Sequence, residues 1–117
     1  MSTHTKNLSE PWFSLVQLGI KKSEGRLNKG SFNKMKKGDI IVFENSELGF
    51  NRSYRVKITS IIKYETFNEF IKKEKLENCL PGIDSIENGL KVYRKYYSEE
   101  EEEKYKVIAL RLKKLVT

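Results

Sequence analysis

The sequence is poor in the residues that build metal centres and covalent staples. Its 117 residues include one cysteine, Cys79, and one histidine, His4. A single cysteine excludes an internal disulfide, and one Cys with one His is too few ligands for a structural zinc site. A Ser/His/Asp triad would have to draw on His4, close to the amino terminus, which argues against that chemistry. Long apolar runs are missing too. The longest, such as Ile40–Phe43 and Val107–Leu110, are four residues, far short of the ~20 needed to cross a bilayer. Met1–Leu8 has no apolar stretch of the signal-peptide kind. There is no P-loop, G-x-G-x-x-G, H-E-x-x-H or C-x-x-C, so no cofactor is expected. The sequence predicts a soluble, intracellular chain, cytoplasmic or nuclear, without a structural metal and without membrane attachment.

What is present is charge and aromatic surface. Charged residues are 33% of the chain, but thirteen aromatics argue against disorder. Lys and Arg number 23 against 16 Asp and Glu, a net charge of +7. Glu99–Glu103 is an unbroken acidic block; without it 23 basic residues face 11 acidic ones and the remainder carries +12. A polarised basic domain suits an anionic partner, with RNA or another single-stranded nucleic acid ahead of a membrane surface. Solubility alone would also explain net positive charge. The length fits one domain, residues 1–117, with room for a real core.

Periodicity sets the element order. Ser9–Leu18 reads as a helix capped by Ser9, with Pro11 in its first turn, Leu8 and Phe13 as a hydrophobic staple, and Trp12, Leu15 and Val16 facing the core. Gly19 stops it. Ile20–Leu27 is extended but has no apolar face. Asp39–Glu44 is a buried strand, and Asn45–Asn51 a loop. Arg52–Tyr64 is a long half-buried strand with a bend at Ile61-Ile62. Thr66 opens a helix with Glu69 as its capping-box partner and Phe67, Phe70 and Ile71 as its core stripe. Glu77–Ile83 reads as a loop. Asp84 or Ser85 caps a helix carrying Ile86, Leu90, Tyr93 and Tyr97, and Ser98 begins another through the solvated acidic block. Tyr105–Leu112 is a central strand. The fold class predicted is α+β, a small open barrel of five to six strands with flanking helices.

One segment carries chemistry. Gly19-Ile20-Lys21-Lys22-Ser23-Glu24-Gly25-Arg26 has the form G-x-K-x-x-E-x-R. If extended, Lys22, Glu24 and Arg26 project to one side and Lys21 to the other, although a turn after Gly19 would redirect Lys21. Lysine offers a point charge for phosphate or a desolvated base, arginine a planar fork, and Glu24 an acceptor for an exocyclic amine. The competing role for the same residues is an ion-pair network that only holds two walls together. Basic residues at Lys29, Lys34, Lys36 and Lys37 form a lysine-rich loop suited to phosphate, or simply to solvent. Arg52, Arg55 and Lys57 add a basic stripe. Trp12, Phe32, Tyr64, Tyr96 and Tyr97 are aromatics that could stack on bases, and several sit at core spacing. Ser14 and Ser23 are hydroxyls with no base nearby in the sequence.

With Glu10-Pro11-Trp12-Phe13 before that segment, Lys37-Gly38-Asp39 after it, and the later Glu77-Asn78-Cys79-Leu80-Pro81-Gly82 and Gly89–Ser98, the chain resembles the ASCH domain family from about Leu8 to Leu112. ASCH domains are relatives of PUA domains, small RNA-binding barrels. The resemblance implies a PUA-like β-barrel with helices beside it, and a cleft between them for nucleic acid or a nucleobase. It places the segment with Lys21, Lys22, Glu24 and Arg26 along that cleft; with Lys29, Lys34 and Lys36 of the basic loop and the neighbouring indole of Trp12, these are the nucleic-acid-binding candidates. One branch of the family hydrolyses N4-acetylcytidine with Lys, Thr and Glu, on a G-x-K-x-x-T-x-R motif. Lys21 matches its lysine, Glu77 of the Glu77-Asn78 pair its glutamate, and Glu24 stands where it has threonine, so Lys21, Glu24 and Glu77 are the catalytic candidates of that reading. A water activated by Glu24 or Glu77, with Lys21 stabilising the oxyanion, would replace the missing hydroxyl. The functions expected are therefore binding of RNA or a modified nucleoside, alternatively amide hydrolysis on an N4-acylated cytidine, and more weakly a protein-interaction module.

Overall fold

The computed structural model describes residues 1–116. Alternation decides its longest strand. Tyr54, Val56 and Ile58 are buried while Arg55 and Lys57 face solvent along Arg52–Tyr64 (β4). β4 pairs antiparallel with Ile40–Asn45 (β3) on one side and Val107–Lys114 (β5) on the other. β5 is buried on both faces, Ile108 and Leu110 toward one core and Val107 and Ala109 toward the other, so it is central as expected. The bend foreseen at Ile61-Ile62 falls earlier. Thr59 drops out of register between Ile58 and Ser60, and its hydroxyl turns to the Arg111 carbonyl at 3.2 Å.

Ser23–Leu27 (β2) pairs antiparallel with β5 and ends the sheet. The opposite edge is a strand the sequence pattern does not announce, Thr3–Asn7 (β1), which runs parallel to β3. Neither of its faces is apolar. It is held by ladder hydrogen bonds and by Asp39, which accepts from the Ser2 amide at 3.0 Å and lies 2.9 Å from His4 Nε2. The strand order β1-β3-β4-β5-β2 makes an open, curled five-stranded sheet, an α+β fold of the PUA-like open-barrel kind.

The first helix is shorter than its pattern, Trp12–Gln17 (α1). Pro11, not Ser9, occupies the N-cap, and the Glu10 carboxylate accepts from the Ser14 amide at 2.9 Å and its hydroxyl at 2.6 Å. Ser14 is thereby a structural hydroxyl. Phe13 and Val16 face the core with Leu8, while Trp12 and Leu15 are half-buried at its margin. Gly19 stops the chain with φ +77°.

Four helices cover the other face: Phe67–Glu74 (α2), Leu76–Cys79 (α3), Ile86–Arg94 (α4) and Glu99–Tyr105 (α5). Thr66 caps α2 by accepting from the Glu69 amide, but Glu69 reaches the Glu65 amide, so the capping box is only half formed. The true capping box belongs to Ser98 and Glu101 at α5. The segment read as a loop from Glu77 opens as the single turn α3. The acidic block is not wholly solvated: Glu102 is buried, accepts from the Phe67 amide at 2.7 Å and binds Arg94 at 2.7 Å. α2 and α4 close over Leu27, Val107 and Ala109 through Phe67, Phe70, Ile71 and Tyr93. Burying Phe67 and Phe70 contributes about 1.5–3 kcal/mol each. Gly25 of β2 makes that packing possible, since a Cβ there would sit 2.5 Å from the Phe70 ring.

Candidate functional site: an aromatic cleft with a charged floor

Between β2, the start of α1 and the end of α4 lies a cleft of about 250 Å³. Trp12, Tyr93, Tyr96 and Tyr97 give it aromatic walls, and Leu8, Leu80 and Val92 add apolar surface. Its floor is Lys21, Glu24 and Arg26. Trp12 packs against both hydrophobic cores and so stands where they part.

Local structure explains how three charged residues share one floor. Ile20 and Lys21 both donate their amides to the Leu15 carbonyl, a turn that ends before β2 begins at Ser23. Strand alternation therefore does not govern Lys21. The turn brings it in beside Glu24, and Lys22 points outward instead. Lys21 Nζ donates to the carbonyls of Ser23 (2.8 Å) and Cys79, and lies 3.3 Å from Glu24 Oε1. It also sits 5.6 Å from the Trp12 ring centre. Three acceptors around one nitrogen engage all three N–H bonds of an ammonium.

Arg26 closes the row. Its Nε donates to Glu24 Oε2 at 2.8 Å, Nη2 reaches the Asn7 carbonyl at 3.4 Å, and the guanidinium lies 5.0 Å from the Phe32 ring centre. Lys6 approaches the same ring at 4.6 Å, so a second cation sits near the Arg26 end. Burial alone would raise the Glu24 carboxyl; the charges of Arg26 and Lys21 outweigh it and hold the group below its ordinary value. Each Glu24 oxygen has one cationic donor and keeps acceptor capacity.

Tyr93 is the odd group. Only 6% exposed, it lines the cleft, and its hydroxyl has no hydrogen-bond partner among the described residues. Burial, and then the Glu24 charge, push its pKa well up, so it stays a neutral donor and acceptor. An unmet buried hydroxyl is costly, which makes it a natural contact for a ligand.

The other sequence candidates lie elsewhere. Glu77 is exposed on α3 and outside the cleft lining; the buried glutamate near it is Glu74, bound to Arg111, Tyr64 and Ser23. Ser23 is thus structural. Lys29 reaches Glu101 at 3.5 Å, and Lys34 and Lys36 are exposed at the 3-10 turn Gly30–Lys34 and just after it, all three outside the cleft lining. Arg52 is taken up by Glu10 and Asn45. Phe32 lies beneath Arg26 and Lys6, and Tyr96 is exposed at the cleft wall. Asn7, Leu8, Ser9 and Val92 joined the site unannounced, because the β1-to-α1 connection and α4 meet β2 only in three dimensions. Among the described residues no helix is long and apolar enough to cross a membrane.

Comparison with known proteins gives this geometry a context. The crystal structure of hypothetical protein PH0355 is similar at 41% identity and a TM-score of 0.86, covering 98% of this chain and 100% of that one. Protein PF0455 from Pyrococcus furiosus, solved by solution NMR, is similar at 39% identity and a TM-score of 0.79 over 100% of both chains. An ASCH domain from Lactobacillus crispatus JV V101 shares the fold at 16% identity, with a TM-score of 0.67 over 97% of this chain and 79% of that one. No curated protein matches the sequence. The ASCH domain model matches residues 7–116, and with that match over nearly the whole length the chain belongs to the ASCH domain family.

Proposed function

We propose that the cleft receives a base of single-stranded RNA, or the base of a modified nucleoside. The observation that carries this reading is the buried carboxylate of Glu24, fixed between Lys21 and Arg26 beside the unpartnered hydroxyl of Tyr93, at the floor of an aromatic-walled cleft. A buried ion triad does little for stability compared with apolar packing, so its presence calls for another role. Trp12, Tyr96 and Tyr97 supply stacking surface, worth about 1–3 kcal/mol per base. Glu24 accepts from an amino or imino group on the base edge, and Arg26 and Tyr93 donate to ring nitrogens or carbonyls.

Lys21 in this reading is a positioning residue. Its N–H bonds already go to Ser23, Cys79 and Glu24, so it orients Glu24 and does not compete for the ligand. Hydrolysis of an N4-acylated cytidine finds less support: Lys21 is committed, Glu77 lies outside the cleft lining, and Glu24 occupies the position of the family threonine.

The test is fluorescence anisotropy with a labelled single-stranded RNA at low salt. Saturable binding that weakens steeply with salt is expected, because backbone contacts release counterions. Glu24→Gln and Arg26→Ala should each weaken it by about tenfold or more, as loss of a charged hydrogen bond does. Binding unchanged in both variants would remove the proposal.

A further inference from the structure

A second hollow, of about 460 Å³, lies across the seam where β2 meets α3. The Lys22 amide donates to the Asn78 carbonyl at 3.0 Å along that seam. Lys21 and Leu80 line the aromatic cleft, whereas their neighbours Lys22 and Asn78 line the second hollow. This hollow has no aromatic wall. Four cations, Lys22, Lys73, Lys75 and Arg111, surround it, and Glu74 is the one carboxylate in its lining among the described residues.

Glu74 is already satisfied. Its oxygens accept from Arg111 Nε (2.9 Å) and Nη2 (2.8 Å), Ser23 Oγ (3.1 Å) and Tyr64 Oη (2.6 Å). Its side chain is 3% exposed, so the grip on Arg111 is rigid and shielded, while half of the Arg111 side chain remains exposed. Arg111 Nη1 takes no part in that grip and keeps both its N–H bonds. Lys22, Lys73 and Lys75 are exposed, and none has a carboxylate within salt-bridge distance among the described residues. Lys75 also holds φ +80° between α2 and α3, a conformation that favours glycine. Four cations gathered in one lining repel one another, a cost that a bound anion would offset.

We propose that this hollow binds phosphate groups. The fixed Arg111 fork supplies directional donors and the three lysines supply mobile charge, the two kinds of contact that phosphate oxygens take. The site stands independently of what occupies the aromatic cleft. The phosphate comes either from an RNA backbone or from a free phosphoanion, and two arms separate the sources.

The first arm titrates inorganic phosphate into the protein and follows backbone amides by NMR. Saturable shifts are expected at Lys22, Ser23, Asn78 and Arg111 and not at Arg26 or Tyr93. The second arm measures single-stranded RNA affinity against salt for the wild type and for Lys22→Ser combined with Lys75→Gly. Loss of two phosphate contacts should weaken RNA binding about tenfold and flatten the log–log salt slope by about 1.4. Lys75→Gly removes the strain as well as the charge, so the double variant should melt no lower than wild type, separating lost binding from lost folding. Lys91→Ala, which removes one exposed charge elsewhere, is the control. Effects in both arms, or in the RNA arm alone, assign the site to nucleic-acid phosphate, and in the phosphate arm alone to a free phosphoanion. Glu24→Gln, which disables the aromatic cleft, should leave the phosphate titration unchanged. Unlocalised or absent phosphate shifts, together with wild-type RNA affinity and slope in the double variant, overturn the proposal.

Discussion

Tyr93 and Gly25 are single residues whose chemistry is set by their neighbours, and each gives a sharp expectation. The Tyr93 hydroxyl is buried and unpartnered among the described residues. Tyr93→Phe should therefore leave stability unchanged or raise it by up to about 1 kcal/mol, while weakening RNA binding about fivefold to tenfold. Thermal melts and anisotropy titrations on the same preparation separate the two effects. Lower stability with intact binding would make the hydroxyl a structural group. Gly25 has the opposite profile. A methyl at this position meets Phe70 Cε2 at 2.5 Å, and Phe70 is fully buried with Tyr64, Phe67 and Tyr93 around it. Gly25→Ala should cost roughly 1–3 kcal/mol by overpacking, read as a lower denaturation midpoint with an unchanged m-value.

Among the elements, α5 shows how a charge run becomes structure. Four glutamates in its first turn suit the positive end of the helix, and Ser98 with Glu101 forms the capping box. Glu102 then leaves the helix surface to cap α2 at Phe67 and to bind Arg94. Glu102→Ala should lower stability by about 1.5–3 kcal/mol, the range for hydrogen bonds to a charged group, whereas Glu103→Ala should be nearly neutral. Equilibrium urea unfolding of the two variants gives the comparison. The same element marks what sequence pattern can and cannot disclose. β4, α2 and α4 were legible because period 2 and period 3.6 map directly onto one buried face, and β3 and β5 because a continuous apolar run of four residues marks a buried strand. β1 was not, since its stability lies in ladder bonds and in Asp39, which no alternation records. α3 was hidden by the turn residues that follow it, Pro81 and Gly82. For the site, the motif disclosed Lys21, Glu24 and Arg26, but the turn at Ile20 and Lys21 decided which side Lys21 takes. Tyr93 read as core from its spacing, and it is core and cleft wall at once.

Across the whole molecule, buried carboxylates paired with cations, Glu24 and Glu74 among them, lie under an excess of surface lysine. Glu24 and Glu74 both sit below the ordinary carboxyl value of 4.5. For Glu24 burial acts upward, and Arg26 and Lys21 overcome it; for Glu74 the Arg111 hydrogen bonds dominate. A lowered folded-state pKa means the unfolded chain binds protons first as pH falls. Stability from both groups is therefore complete above 4.5 and lost as pH drops through their folded-state values. Asp39, brought down to about 2 by the Ser2 amide and His4, loses its contribution between its ordinary 3.8 and that value. Melting temperature should be set against pH: a decline beginning below about 4.5 is expected, shallower in Glu74→Gln, which also starts from a lower value at neutral pH. A curve for Glu74→Gln parallel to wild type throughout would contradict the assignment.

The central claim is that a base enters the aromatic cleft, and the chain carries its own reporter there. Trp12 is the single tryptophan and lines the cleft. Its emission should be followed while single-stranded RNA is added at low salt, with anisotropy of labelled RNA recorded in parallel. Saturable change in Trp12 fluorescence, tracking the anisotropy curve and lost with it in Glu24→Gln, is the predicted result. RNA that binds by anisotropy while Trp12 emission stays constant would place the contact elsewhere and contradict it.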